Sequence, residues 1–234
     1  MQGYFDRDWS CSRCGYNLRG LSFADPCPSC GHREKYLPSS SKVKGYSKWL
    51  KEKIEDPPFH AGALTSLACA LAGGVFAIAG AFLESLQFAS FPKIAFGPLT
   101  LAIVVAPSIE ETLKISITSF VVERKPYLFS KASQVFISCI GAAALFAAVE
   151  NLIYLNVYID NPSEQIKLWR WTVCISLHVT CTAIAATGLL RVWRRTVSEL
   201  RPPSFGPVSK SLIAAAVVHG TYNFLVFLYE ALTT

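Results

Sequence analysis

Two sets of residues in this chain have the types and spacing to do chemistry. The first is Cys11, Cys14, Cys27 and Cys30, two C-x-x-C pairs near the N-terminus. Four thiolates so spaced can surround one zinc ion tetrahedrally, and a metal can replace the hydrophobic core that so short a segment cannot build. The second set is acidic and basic groups embedded in apolar sequence. It comprises Glu110-Glu111-Thr112-Leu113-Lys114, then Glu150-Asn151, then His178 with Thr182 one turn on and Arg170 before it, then His219 with Asn223. Carboxylates and imidazoles gathered in one low-dielectric pocket can activate a water, supply a proton or hold a metal.

The elements that must position these groups are legible in the composition. The chain has 234 residues, 52% of them hydrophobic and only 16% charged, against about 25% charged in an ordinary soluble domain. Residues 1–60 hold 17 of the 38 Asp, Glu, Lys and Arg residues, so the remainder is depleted further. This excludes intrinsic disorder and disfavours a single soluble globule. The pattern predicts a zinc-ribbon head over 1–32, a polar basic linker over 33–60 that ends at Asp56-Pro57-Pro58, and an all-α polytopic membrane body over 61–234. Crossing a bilayer as helix takes about 20 apolar residues. Five stretches qualify: 61–83, 94–122, 132–158, 168–192 and 209–231. Gly97-Pro98 and Pro107 predict a kink in the second. No internal repeat is present, which disfavours an inverted-repeat transporter.

Positive charge predicts an orientation. Arg124, Lys125, Lys131, Arg191, Arg194, Arg195, Arg201 and Lys210 fall on the N-terminal side of a five-span body, against Lys93, Lys167 and Arg170 on the other. The head is therefore expected in the cytoplasm, a reducing compartment that also suits zinc thiolates. The net charge of +6 is not gathered on one segment, so no nucleic-acid partner is expected. Cys69, Cys139, Cys174 and Cys181 sit singly in apolar sequence and read as small buried hydrophobes.

An ionisable group at mid-bilayer costs about 2.5–3.5 kcal/mol on insertion scales. An intrahelical Glu110–Lys114 pair at i,i+4 explains one such group without invoking function. It leaves Glu111 with no expected partner on its own helix. One His in a span is commonly a helix–helix hydrogen bond, but four successive spans each contributing a carboxylate or imidazole point to a shared hydrophilic pocket. No H-E-x-x-H, G-x-S-G or intramembrane Gly-Asp signature is present.

The order E-E-x-x-K, F-x-x-x-E-N, H, then H-x-x-x-N over about residues 94–231 resembles the PrsW family of intramembrane endopeptidases, distant relatives of the CAAX-prenyl endopeptidases and bacteriocin-processing proteins. The resemblance implies a bacterial cytoplasmic-membrane protease that cuts membrane-anchored proteins, anti-sigma factors among them. It places Glu110, Glu111, Glu150, His178, His219 and Asn223 at the family's functional positions. The head separately resembles a short bacterial zinc ribbon, C-x-x-C-G-Y-x-L-x-G-L followed by C-P-x-C-G, and is expected to engage a cytoplasmic protein partner.

Two mechanisms follow, and the metal-free one is favoured on sequence. In it Glu110 or Glu111 deprotonates water, His219 and Asn223 stabilise the oxyanion, and His178 assists proton transfer. Glu110 is expected to be held charged by Lys114 while Glu111 shuttles the proton. The alternative places a catalytic zinc on Glu150, His178 and His219 with Glu110 or Glu111 as base. A proton-coupled carrier is the rival from another class.

Overall fold

The computed structural model describes residues 5, 8–22, 25–33, 40–56, 61–90 and 97–233. Pro57, Pro58 and Lys93, used above for the linker boundary and the charge count, lie outside these residues. The chain divides into two compact units, Met1–Trp49 and Leu50–Thr234.

The first unit is built around its cysteines. Each C-x-x-C turn closes with a glycine at positive φ, Gly15 at 79° and Gly31 at 68°, a conformation that side chains with a Cβ resist. The turn amides bond back to the first cysteine of each pair, Gly15 N–H to Cys11 O at 2.9 Å and Gly31 N–H to Cys27 O at 2.8 Å. Phe5, Leu18, Cys11 and Cys27 form a small buried cluster under Trp9 and Leu21. The stretch expected as linker contains a helix, α1 (Ser40–Glu55), with a Lys51–Glu55 pair one turn apart.

The second unit is all helix. It comprises α2 (Ala61–Ser90), a continuous helical run made of α3 (Gly97–Thr100), a π-helical turn (Leu101–Val105) and α4 (Ala106–Arg124), then α5 (Ala132–Ile153), α6 (Glu164–Trp169), α7 (Ile175–Glu199) and α8 (Gly206–Thr233). Further π turns follow α5 (Tyr154–Tyr158) and precede α7 (Arg170–Cys174). Among the described residues four helices are long and apolar enough to cross a membrane: Gly62–Leu83, Ala132–Tyr158, Glu164–Glu199 and Gly206–Thr233. The run through α4 is not among these four, and it carries Glu110, Glu111 and Lys114 inside it.

Packing explains how that helix tolerates its charges. α4 touches α2, α5, α7 and α8, and its buried face runs through Pro107, Glu110, Glu111, Lys114, Thr118 and Val122. The polarity of the body is inverted relative to a water-soluble bundle. Leu64, Leu67, Val75, Phe82, Val217 and Phe224 are exposed, while Glu111, Lys114, Asn151 and Thr182 are fully buried. Apolar surface outside and ionisable groups inside is the arrangement a lipid solvent selects.

A π turn lies immediately before Pro107, where the sequence predicts a kink. Ala106 N–H bonds Leu101 O, five residues back. Ala102 O thereby loses its usual donor, and the residue five further on is Pro107, which has none. The orphaned carbonyl is satisfied from another helix, by Asn223 Nδ2 of α8 at 2.9 Å. Gly220 makes this approach possible, since a Cβ there would collide with Ile103 O.

Candidate active site

Glu110 and Glu111 from α4, His178 from α7 and His219 from α8 bring one ligand atom each within 4.8 Å of one another, all four residues buried. Lys114, one turn after the glutamates, points its ammonium into the group. Its Nζ donates to Glu111 Oε1 at 2.8 Å, to His178 Nδ1 at 2.9 Å and to Glu110 Oε2 at 3.4 Å. The Phe146 ring face of α5 lies 4.3 Å from the same nitrogen. The two imidazole rings meet edge to face with centroids 4.9 Å apart.

The two glutamates differ in how fully they are engaged. Glu111 Oε1 also meets His219 Nδ1 at 3.1 Å, and its Oε2 accepts from Thr182 Oγ1 at 2.7 Å. Glu110 Oε2 lies 3.8 Å from His178 Nδ1 and 3.9 Å from His219 Nε2. This corrects the expectation that Glu111 is unpaired on its helix. An i,i+3 spacing brings two side chains together as well as i,i+4 does, and here Lys114 sits closer to Glu111 than to Glu110.

Glu150 stands on the far side of His178. Its Oε2 meets His178 Nε2 at 2.9 Å and accepts from Arg170 Nη2 at 3.3 Å. Arg170 is fixed in turn by donating from Nε to Asn151 Oδ1 at 3.0 Å and by lying over the Tyr154 ring at 3.8 Å, while Asn151 Nδ2 returns a bond to Arg170 O at 2.7 Å. The network assigns the His178 proton to Nε2, because Nδ1 accepts from an ammonium that has no lone pair. His219 correspondingly carries its proton on Nδ1, facing the Glu111 carboxylate. Each imidazole thus has a carboxylate on one nitrogen and turns the other toward Glu110.

A family model described as PrsW family intramembrane metalloprotease matches residues 62–234. The chain belongs to this family. No curated protein and no solved structure matches it. As a PrsW family member the body is an intramembrane protease, which sets aside the carrier. The metalloprotease description and the buried donor cluster both favour the metal-dependent mechanism over the metal-free one preferred on sequence. The donor chemistry fits, since imidazole nitrogens and carboxylate oxygens are the set found in catalytic zinc sites. Of the trio expected as zinc ligands, this group of four contains His178 and His219. Glu150 lies outside the group of four and meets His178 through the ring nitrogen that faces away from Glu110.

Asn223, one turn beyond His219 on α8, donates from Nδ2 to Ala102 O. The expected Lys114–Glu110 pair is present at 3.4 Å, and the contacts the sequence left unassigned are those of Thr182 and Lys114 with Glu111. Their signals were the i,i+4 relation of Thr182 to His178 and the i,i+3 relation of Lys114 to Glu111.

In the head, Cys11, Cys14, Cys27 and Cys30 also form a four-donor group. Cys11 and Cys30 sulfurs are 3.7 Å apart, and those of Cys14 and Cys27 are 3.6 Å apart. Thiolates about 2.3 Å from a tetrahedral zinc have sulfur–sulfur edges of about 3.8 Å, so the spacing fits that ion. The Tyr16 backbone N–H leads the effects that lower the Cys14 thiol to about 6, while burial pushes the Cys11 thiol up.

Proposed function

We propose that this PrsW family member is a metal-dependent endopeptidase in which His178, His219 and Glu110 hold the ion and Glu111 acts as the base, cleaving membrane-anchored proteins within or beside the bilayer. The observation that carries this reading is the paired arrangement of carboxylates. Glu150 on His178 Nε2 and Glu111 on His219 Nδ1 leave the opposite nitrogens directed toward one carboxylate, Glu110. Carboxylate–histidine pairs of this kind orient metal-binding imidazoles and raise their basicity.

The chain's own groups divide the work. A divalent metal in this position would polarise the scissile carbonyl and ease ionisation of a water. Glu111, steadied by Thr182 on one oxygen and Lys114 on the other, receives the water's proton and returns it to the leaving amine. Arg170 and Asn151 keep Glu150 in place, and Glu150 keeps His178 from turning. The helices around α4 hold lipid away from the charges.

The substrate class follows from a site buried among membrane helices. An anti-sigma factor is one substrate of the expected kind. The zinc ribbon is proposed to face the cytoplasm and recruit a protein there, with the C-terminus on the opposite side. Incubating purified protein with a panel of single-span substrates tests the activity. Wild type should cut at least one and Glu111→Gln none. Equal cleavage by both would refute the assigned role of Glu111.

A further inference from the structure

Lys114 holds the place of a cation. Its side chain is completely buried, and three of the four candidate metal donors converge on its Nζ at 2.8, 2.9 and 3.4 Å. Intrahelical ion pairing accounts for the two glutamates at i,i+3 and i,i+4. It does not account for the third contact, which comes from His178 on another helix.

That contact has a chemical consequence. His178 Nε2 carries the proton that faces Glu150, so Nδ1 is the nitrogen with a lone pair available. The lone pair is single and already accepts from Lys114. An ammonium and a metal ion cannot share it. We propose that Lys114 is a resident cation which fills the metal position and is displaced from His178 Nδ1 when a divalent ion binds. This rests on the metal-site reading above. Displaced, the ammonium keeps Glu111 Oε1 and the Phe146 face, both within reach of its present position.

Two effects follow. Without metal, Lys114 offsets the repulsion between two buried carboxylates and keeps the site assembled. With metal, it competes, so the protein binds the ion more weakly than the donor set alone would. Lys114 thereby sets the free-zinc concentration at which the site fills.

The test is zinc affinity of the full-length, detergent-solubilised protein, measured by competition with a chromophoric chelator. His219→Ala, which keeps the head's four thiolates, serves as the blank for head zinc. Lys114→Met should bind the body zinc at least tenfold more tightly than wild type, and zinc should raise its melting temperature by more. Lys114→Gln, which keeps a donor without the charge, should lie between them. Variants that fold only when zinc is supplied would also support the proposal. Equal or weaker binding by Lys114→Met overturns it, as does failure of both variants to fold with zinc present. A wild type that binds no zinc beyond the His219→Ala blank would overturn the metal-site reading itself.

Discussion

Replacing Glu150 separates an outer carboxylate from a metal ligand. Gln keeps the shape, and its amide oxygen can still accept from His178 Nε2–H, but the bond is no longer charge-assisted. Hydrogen bonds to charged groups contribute about 1.5–3 kcal/mol and neutral ones about 0.5–1.5, a difference of about 1–1.5 kcal/mol. At about 1.4 kcal/mol per factor of ten this weakens metal binding by about 5- to 12-fold. The Glu150 side chain is 23% exposed, so water softens the loss and about tenfold is the ceiling for Gln. Glu150→Ala removes the acceptor altogether and should reach the 10- to 100-fold typical of losing such a partner, about 1.4–2.7 kcal/mol. Arg170 keeps Asn151 and the Tyr154 face in either variant, so the fold should persist. The assay is chelator competition for zinc alongside turnover of a single-span substrate. Complete loss of the body metal in Glu150→Gln would make Glu150 a ligand. Unchanged affinity in Glu150→Ala would remove it from the site.

Three further outcomes are expected. Glu111→Gln should bind its metal up to about tenfold more weakly, as Glu150→Gln does, and lose about 10²–10⁴ in rate even at saturating zinc, whereas Glu110→Gln should lose the metal; elemental analysis beside turnover separates the two, and the reverse pattern exchanges their roles. Asn223→Ala leaves the half-buried Ala102 O without its side-chain donor, which should cost about 1 kcal/mol in stability; denaturation of the solubilised protein checks this, and wild-type stability in Asn223→Ala would refute the contribution of this bond. The head should carry about one zinc per chain, released by Cys27→Ser with the body metal and the cleavage chemistry retained; a folded head without metal would refute the zinc assignment.

Much of the site was legible in the sequence because burying an ionisable group in a membrane is costly enough to mark every member. Glu110, Glu111, Lys114, Glu150, His178 and His219 each stand out against apolar neighbours for that reason. Pairing was harder to read. Spacings of three and four both place side chains on one helix face, so residue numbers alone could not assign Lys114 to Glu111. Nor could they show that Glu150 serves His178 from outside the donor group, since that depends on how α5 and α7 pack. Asn223 lies one turn from His219, and its bond to a carbonyl freed by a π turn was not legible, because the only trace of that turn in the sequence is Pro107. The boundaries of the spans shifted by a few residues because polar ends such as Glu164 and Glu199 remain helical beyond the apolar stretch.

The central claim is that the protease works through a metal held by the body. The most direct measurement is cleavage of a single-span substrate by purified protein whose body metal has been stripped with a chelator, followed by stepwise return of zinc. The account predicts that activity disappears with the body metal and returns as about one zinc per chain, beyond the head's own, is restored. Full cleavage by protein shown to be free of body metal, with Glu111 still required, would contradict it and reinstate a glutamate-activated water without metal.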